Sequence, residues 1–265
     1  MTDRRALVFC VRWVARIGYG ARGLVYLIFG WLVLETAVRL TAAHDVRDAL
    51  HVIHDLPAGR GLLVMMAGGL MAYALWRTVQ SLLDTDGHGW RVRGLAVRVA
   101  LLFSAAAHVS LAWAGLRLAM AMSGDSGEQP VRTAVARVLD WPAGRELVVA
   151  GGIIAIGVGG AHFQKAVRGG FRQWFETSAT AMRWIDPVSR IGLTARGLMF
   201  VGVGAFVIYS GLTLDASDAL DVAGLLHWVR QGDYGRWLLT AWAGGVALFG
   251  VYSLVEAFVR RVDFS

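Results

Sequence analysis

The sequence predicts an all-α membrane protein: six transmembrane helices arranged as three parallel two-helix repeats about a pseudo-threefold axis. Three observations predict this. Apolar residues fall in six charge-poor blocks, basic residues concentrate in alternate connecting segments, and the same short markers recur three times in the same order.

The blocks come first. The 265 residues are 56% hydrophobic and 17% charged, with a mean hydropathy of +0.53, whereas soluble domains carry about a quarter charged residues. The six blocks are Gly23–Val38, interrupted only by Glu35, Gly61–Trp76, Val99–Leu116, Leu147–Gln164, Gly197–Leu214 and Trp237–Val255. Each approaches the ~17–25 residues that carry a helix across ~30 Å of hydrocarbon. Flanking arginines and aromatics extend the shorter ones by snorkelling. None alternates polar with apolar residues as a barrel strand would. The first block is long and has no small-residue cleavage site followed by a polar region, so it reads as an anchor rather than a signal peptide. Thirty-three glycines and four prolines suit closely packed, mostly unbroken membrane helices.

Charge distribution then sets the expected topology. The N-terminus, the second and fourth connections and the C-terminus hold 17 basic and 7 acidic residues, a net +10. The other connections, with Glu35, hold 9 and 12, a net −3. The positive-inside rule places the first set, and both termini, in the cytoplasm. The overall charge of +7 is thus a topology signal, and no nucleic-acid partner is expected. Lys165 is the only lysine among 26 basic residues, a bias pointing to a GC-rich bacterial genome and hence to a bacterial inner membrane. Cys10 is the only cysteine, so no intrachain disulfide forms.

The repeats define the units. Arg16-Ile-Gly-Tyr-Gly-Ala-Arg-Gly23 recurs as Arg190-Ile-Gly-Leu-Thr-Ala-Arg-Gly197, and Gly94-Leu-Ala-Val-Arg98 keeps the same Gly-to-Arg spacing. Each second helix opens with Gly-Arg (Gly59-Arg60, Gly144-Arg145, Gly235-Arg236), followed by Ala-Gly-Gly at Ala67–Gly69, Ala150–Gly152 and Ala243–Gly245. The units run about 16–86, 92–174 and 190–263 within one membrane domain of residues 1–265. The Ala-Gly-Gly triplets read as close helix contacts, since missing side chains let backbones approach in lipid. Between the two helices of each unit, Asp45–Leu56, Arg132–Trp141 and Asp218–Gln231 have helical periodicity. In the first, Val46, Ala49, Leu50, Ile53 and Leu56 form the apolar stripe of a short amphipathic helix on the outer side, lying at the interface or capping the bundle.

The paired Arg-Ile-Gly-x-x-Ala-Arg-Gly openings, the Gly-Arg starts and Met71-Ala-Tyr-Ala-Leu-Trp-Arg77 resemble the bacterial membrane family called domain of unknown function 1206. The resemblance covers about Arg16 to Phe264. It implies three units of two membrane helices each, and it implies no activity. The middle unit departs most, with Val92 where the first arginine is expected.

Candidate sites follow from polar residues in apolar surroundings. There is no phosphate loop, cysteine pair, His-Glu-x-x-His or nucleophile elbow. No acid, base and nucleophile converge, and no cofactor is expected. His51, His54 and Asp55 share a face of the first outer helix, and His227 occupies the place of His51 in the third unit. This is a conceivable metal set. However, Arg230 replaces His54 in the third unit and Ala136 replaces His51 in the second, so no metal is expected and the group reads as an amphipathic polar face. His108 and Glu35 are the intramembrane polar candidates. Glu35 reads as an i,i+4 partner of Arg39, and His108 as a hydrogen-bonding partner of Ser104, Ser110 or a neighbouring helix. His108 and His162 differ in depth by roughly 10 Å at ~1.5 Å rise per residue, so they are not opposite ligands of one iron.

Arg22, Arg98 and Arg196 take the same place in the three repeats. Arg16 and Arg22, like Arg190 and Arg196, are six residues apart, a net rotation of about 240°. One arginine of each pair therefore snorkels while the other faces the bundle. Three inward arginines form a basic cluster suited to an anionic phospholipid headgroup or another anion; the plainer alternative is that all simply mark the membrane boundary and snorkel, or pair locally with backbone carbonyls. The functional expectation is a non-catalytic inner-membrane component that binds lipid, a protein partner or further copies of itself. The alternative is a small transporter or channel for an anionic or lipid-like solute, a role that parallel repeats also serve.

Overall fold

The computed structural model describes residues 2–39, 48–87, 89–120 and 130–261. The helices are α1 (Thr2–Arg39), α2 (Asp48–His54), α3 (Gly59–Leu83), α4 (Val92–Ala119), α5 (Pro130–Leu139), α6 (Gly144–Arg168), α7 (Ala179–Thr213), α8 (Val222–Arg230) and α9 (Gly235–Val259). Six of these, α1, α3, α4, α6, α7 and α9, are long and apolar enough to cross a membrane, so the chain is a multi-pass membrane protein. An even number of spans puts both termini at one end of the bundle. The short helices α2, α5 and α8 lie at the other end, each between the two long helices of its repeat.

The Gly-Arg marker is a turn device. A β-carbon at Gly59 would sit 2.2 Å from the His54 carbonyl oxygen, one at Gly144 2.2 Å from that of Val138, and one at Gly235 2.4 Å from that of Val229. Each glycine thus lets the second long helix start directly against the end of the short helix before it. Ala58 and Ala143, the preceding residues in the two identical Pro-Ala-Gly-Arg tetrapeptides, take positive φ of 62°. The apolar stripe of α2 is buried at Ala49, Leu50 and Ile53, so this helix caps the bundle. Leu56 is exposed because α2 ends at His54 and the chain turns away there. Val46 lies outside the described residues.

Around the bundle the long helices follow the order α4, α3, α1, α9, α7, α6. Three of these contacts, α3–α4, α6–α7 and α9–α1, join the second helix of one repeat to the first helix of the next, the last linking the third repeat to the first. Glycines set the two closest. Gly23 and Gly250 each lie against the other's carbonyl oxygen across α1–α9, as Gly159 and Gly197 do across α6–α7. Two contacts lie within repeats. In α1–α3, Gly69 meets Ala21, and in α7–α9, Gly245 meets Ala195, each placing a would-be β-carbon 2.6 Å from the alanine methyl.

The equivalent contact in the middle repeat is not made: α4 and α6 share no packed interface. The sequence supplies the reason. Val97 stands where the other repeats have Ala21 and Ala195. Gly152, freed from that contact, packs instead on Gly204 and Ile208 of α7. The pseudo-threefold ring is therefore an arc open between α4 and α6. In keeping with this, 22% and 17% of the residues in the α4 and α6 spans are buried, against 56% in α1 and 44% in α3 and α9.

Candidate functional site

The charged groups that the arc encloses lie toward the end that carries the termini. Arg22 on α1 is almost fully buried, at 3% exposure. Its Nε donates to Ser253 Oγ at 3.1 Å, Nη2 donates to Glu256 Oε2 at 2.5 Å, and Nη1 donates to Tyr73 Oη. Glu256 on α9 is 1% exposed and accepts on its other oxygen from Arg260 Nη1 at 2.7 Å and from the Tyr252 hydroxyl at 2.9 Å. Lys165 of α6 donates to Tyr252 Oη at 2.8 Å, and Arg77 of α3 donates to Tyr73 Oη at 2.7 Å. Arg260 also lies 3.6 Å from Asp86 in the α3–α4 connection. One carboxylate thus gathers side chains from α1, α6 and α9.

The backbone closes the same end. Residues 174–176, after α6, pair with the end of α9: Glu176 N donates to the Val259 carbonyl at 2.8 Å and Arg261 N to that of Trp174 at 2.7 Å. Arg261 and Glu176 add a side-chain ion pair at 2.8 Å.

Arg196 on α7 differs from Arg22 although it takes the same place in its repeat. It is 8% exposed and sits against the rings of Phe249 (4.6 Å), Tyr26 (4.7 Å) and Phe200 (5.2 Å). Its Nη1 is buried with no hydrogen-bond partner, and no carboxylate among the described residues pairs with it. Aromatic faces attract a guanidinium by about 0.5–2 kcal/mol each but leave its N–H groups unmet. Phe249 also lies 5.2 Å from Arg22, so one ring separates the satisfied guanidinium from the unsatisfied one.

Arg98 does not join them. Its Nε donates to the Ser81 carbonyl at 2.6 Å and Nη2 to that of Leu82 at 3.0 Å, and it stacks on Trp90 at 4.1 Å. Those carbonyls end α3, where a cation is favoured. Arg22 and Arg196 face an aromatic residue four places after the Ala-Gly-Gly triplet of their own repeat, Tyr73 and Phe249. The middle repeat has Ile156 there, on a helix that has moved away. The expected three-arginine cluster is a pair, and Arg98 follows the plainer course.

The arginine six places earlier also bonds at a helix end. Arg190 donates to the Ala166 and Val167 carbonyls of α6 at 2.6 and 2.7 Å and to Asp186 at 2.8 Å. Arg16 lies over Trp13 at 5.8 Å.

His108 is 4% exposed. Its Nδ1 bonds the Ser104 carbonyl of its own helix at 2.7 Å, and its ring lies 4.5 Å from that of Tyr73. The expected serine partner is met through backbone rather than hydroxyl. His162 bonds the Val158 carbonyl in the same way at 2.8 Å, and its ring lies 5.6 Å from Phe200. The expected Glu35–Arg39 pair falls outside the described side chains. Of the outer set, His54 lies 3.3 Å from Asp55 and His227 meets Gln231 at 2.9 Å, while His51 is exposed. No group of three or more His, Cys, Asp or Glu among the described residues is placed to hold a metal.

Sequence reasoning missed the Glu256 network. Its one sequence signal was a carboxylate directly after the sixth apolar block, with Tyr252 and Arg260 four residues to either side.

Comparison with known proteins returns the repeats. The family described as Domain of Unknown Function (DUF1206) matches residues 17–84, 99–169 and 191–260. The curated "Uncharacterized protein YxxB" of Bacillus subtilis (strain 168) is 32% identical over 254 residues, covering 94% of this chain and 91% of that protein. No solved structure matches.

Proposed function

The chain belongs to the DUF1206 family, and from that premise we propose that it is a non-catalytic membrane component whose interior binds an anion at Arg196. The observation that carries this reading is the buried, unpartnered guanidinium. Removing a charge from water costs several kcal/mol unless it is paired and hydrogen-bonded. Arg22 meets that requirement with Glu256, and Arg196 meets it with nothing among the described residues. The surroundings reinforce the point. Among the described residues, Arg22, Arg77, Lys165 and Arg260 gather about the carboxylate Glu256, with Asp86 at the rim and Arg196 beyond the Phe249 ring, so the interior carries excess positive charge. A guanidinium presents a planar fork of donors suited to phosphate or carboxylate.

Binding fits better than transport or catalysis. Glu256, the buried carboxylate that proton coupling would use, is held by Arg22 and Arg260. Among the described residues, no nucleophile stands beside a base near Arg196. The charge asymmetry of the connections, +10 against −3, supports a bacterial inner-membrane location with both termini, residues 77–98 and residues 165–190 in the cytoplasm.

Native mass spectrometry of gently extracted protein tests the site. The parent and Arg98→Gln are expected to carry a bound anionic species that Arg196→Gln lacks. If Arg196→Gln folds and keeps the same species, the reading is wrong.

A further inference from the structure

The one missing contact of the ring lies beside Arg196. Around α4, Ala105 and Ala112 are buried on the face turned to α3. Turning from that face through His108 leads to Ser104 and then to Ala107. Around α6, Gly152 and Gly159 pack on α7. Turning from that face through His162, toward the interior that Lys165 reaches, leads to Ile154 and Ala161. The two helices are antiparallel, so both rotations point into the space between them. Ala107, Ile154 and Ala161 are exposed. Behind this opening stand His108 and His162, and behind them Arg196, which faces the same Phe200 ring that His162 packs on.

The other route to Arg196 is closed. At the end that carries the termini, the Glu256 network and the paired backbone of residues 174–176 and 259–261 block the interior. At the far end α2 buries Ala49, Leu50 and Ile53 against the bundle, and Leu50 lies within 3.7 Å of where a side chain on Gly115 would sit. The site is thus more open to the bilayer than to water.

Resting on the anion-binding reading above, we infer that the ligand of Arg196 is the phosphate of a bilayer phospholipid, which enters sideways between α4 and α6 and leaves its acyl chains in that opening. The chemistry is divided accordingly. The guanidinium supplies charge-assisted donors to the phosphate oxygens in a site of low dielectric. Small and aliphatic walls at Ala107, Ile154 and Ala161 accept hydrocarbon without unmet polar groups. A soluble anion such as inorganic phosphate offers the same oxygens but nothing to fill the opening.

The test separates entry from binding. Parent, Arg196→Gln and the double variant Ala107→Trp with Ala161→Trp are reconstituted in phosphatidylcholine vesicles containing acyl-labelled phosphatidylglycerol, and exchange of bound label is followed. Both alanines are exposed, so the tryptophans require little repacking. The double variant is expected to keep the parent's melting temperature and to exchange label slower by roughly tenfold or more. The smaller plugs Ala107→Leu with Ala161→Leu should slow exchange less. Millimolar inorganic phosphate should not displace the label. Exchange at the parental rate in both plugged variants overturns lateral entry even if Arg196→Gln has lost the lipid. Displacement of the label by inorganic phosphate overturns the lipid source and leaves anion binding standing. Full label retention by Arg196→Gln removes the underlying reading itself.

Discussion

Arg22 and Arg196 show how two equivalent residues acquire different tasks. Sequence position marks both, because the eight-residue opening that contains them is repeated almost intact. What separates them is the partner on α9: Arg22 reaches Ser253 and Glu256, whereas Arg196 meets only the ring of Phe249 and its neighbours. Such partners come from residues 231 and 234 positions away and are not legible in a linear sequence. Arg98 departs for a related reason: α6, which carries Ile156 at the aromatic position, packs on α7 rather than on α4, and Arg98 bonds the carbonyls that end α3. The structure assigns Glu256 a structural role, which yields a prediction. Glu256→Gln leaves Arg22 and Arg260 buried without their counter-charge and should cost about 3–5 kcal/mol, read as a large drop in melting temperature or in yield of folded protein. Arg98→Gln, with its carbonyl partners at a helix end, should cost less.

At the scale of elements, the helices and their order were legible because each membrane span is a continuous apolar run and each repeat marks its second helix with Gly-Arg. The purpose of that glycine was not. It permits a turn in which α6 starts 2.2 Å, by a would-be β-carbon, from a carbonyl of α5. Gly144→Ala should therefore destabilise by about 1–3 kcal/mol through forced backbone shifts. Gly61, two places after the equivalent Gly59, has nothing within 4 Å of its would-be β-carbon. Gly61→Ala should be neutral or stabilise by up to about 1 kcal/mol through helix propensity. Refolding equilibria in mixed micelles measure both, and equal effects would refute the turn argument. The Ala-Gly-Gly triplets were legible as contacts, but the partner of each was not. Gly69 and Gly245 pack within their repeats, and Gly152 packs on the next one.

The whole molecule is a three-repeat ring with one interface unmade. Repetition made the ring legible, and the break follows from a valine in place of an alanine, a difference whose meaning appears only beside the competing α6–α7 contact. The charge asymmetry predicts its sidedness: a reporter fused after Ser265 should be active only in the cytoplasm, and activity on the outer side would reverse the assignment of every connection. The central claim is that a phosphate rests on the unpartnered guanidinium of Arg196. Solid-state NMR of arginine-¹⁵N-labelled protein in phosphatidylglycerol-containing bilayers measures it most directly, through ¹⁵N–³¹P dipolar dephasing. The account predicts dephasing from an arginine in the parent that is retained in Arg98→Gln and lost in Arg196→Gln. Dephasing unchanged in Arg196→Gln, or absent from the parent, would contradict it.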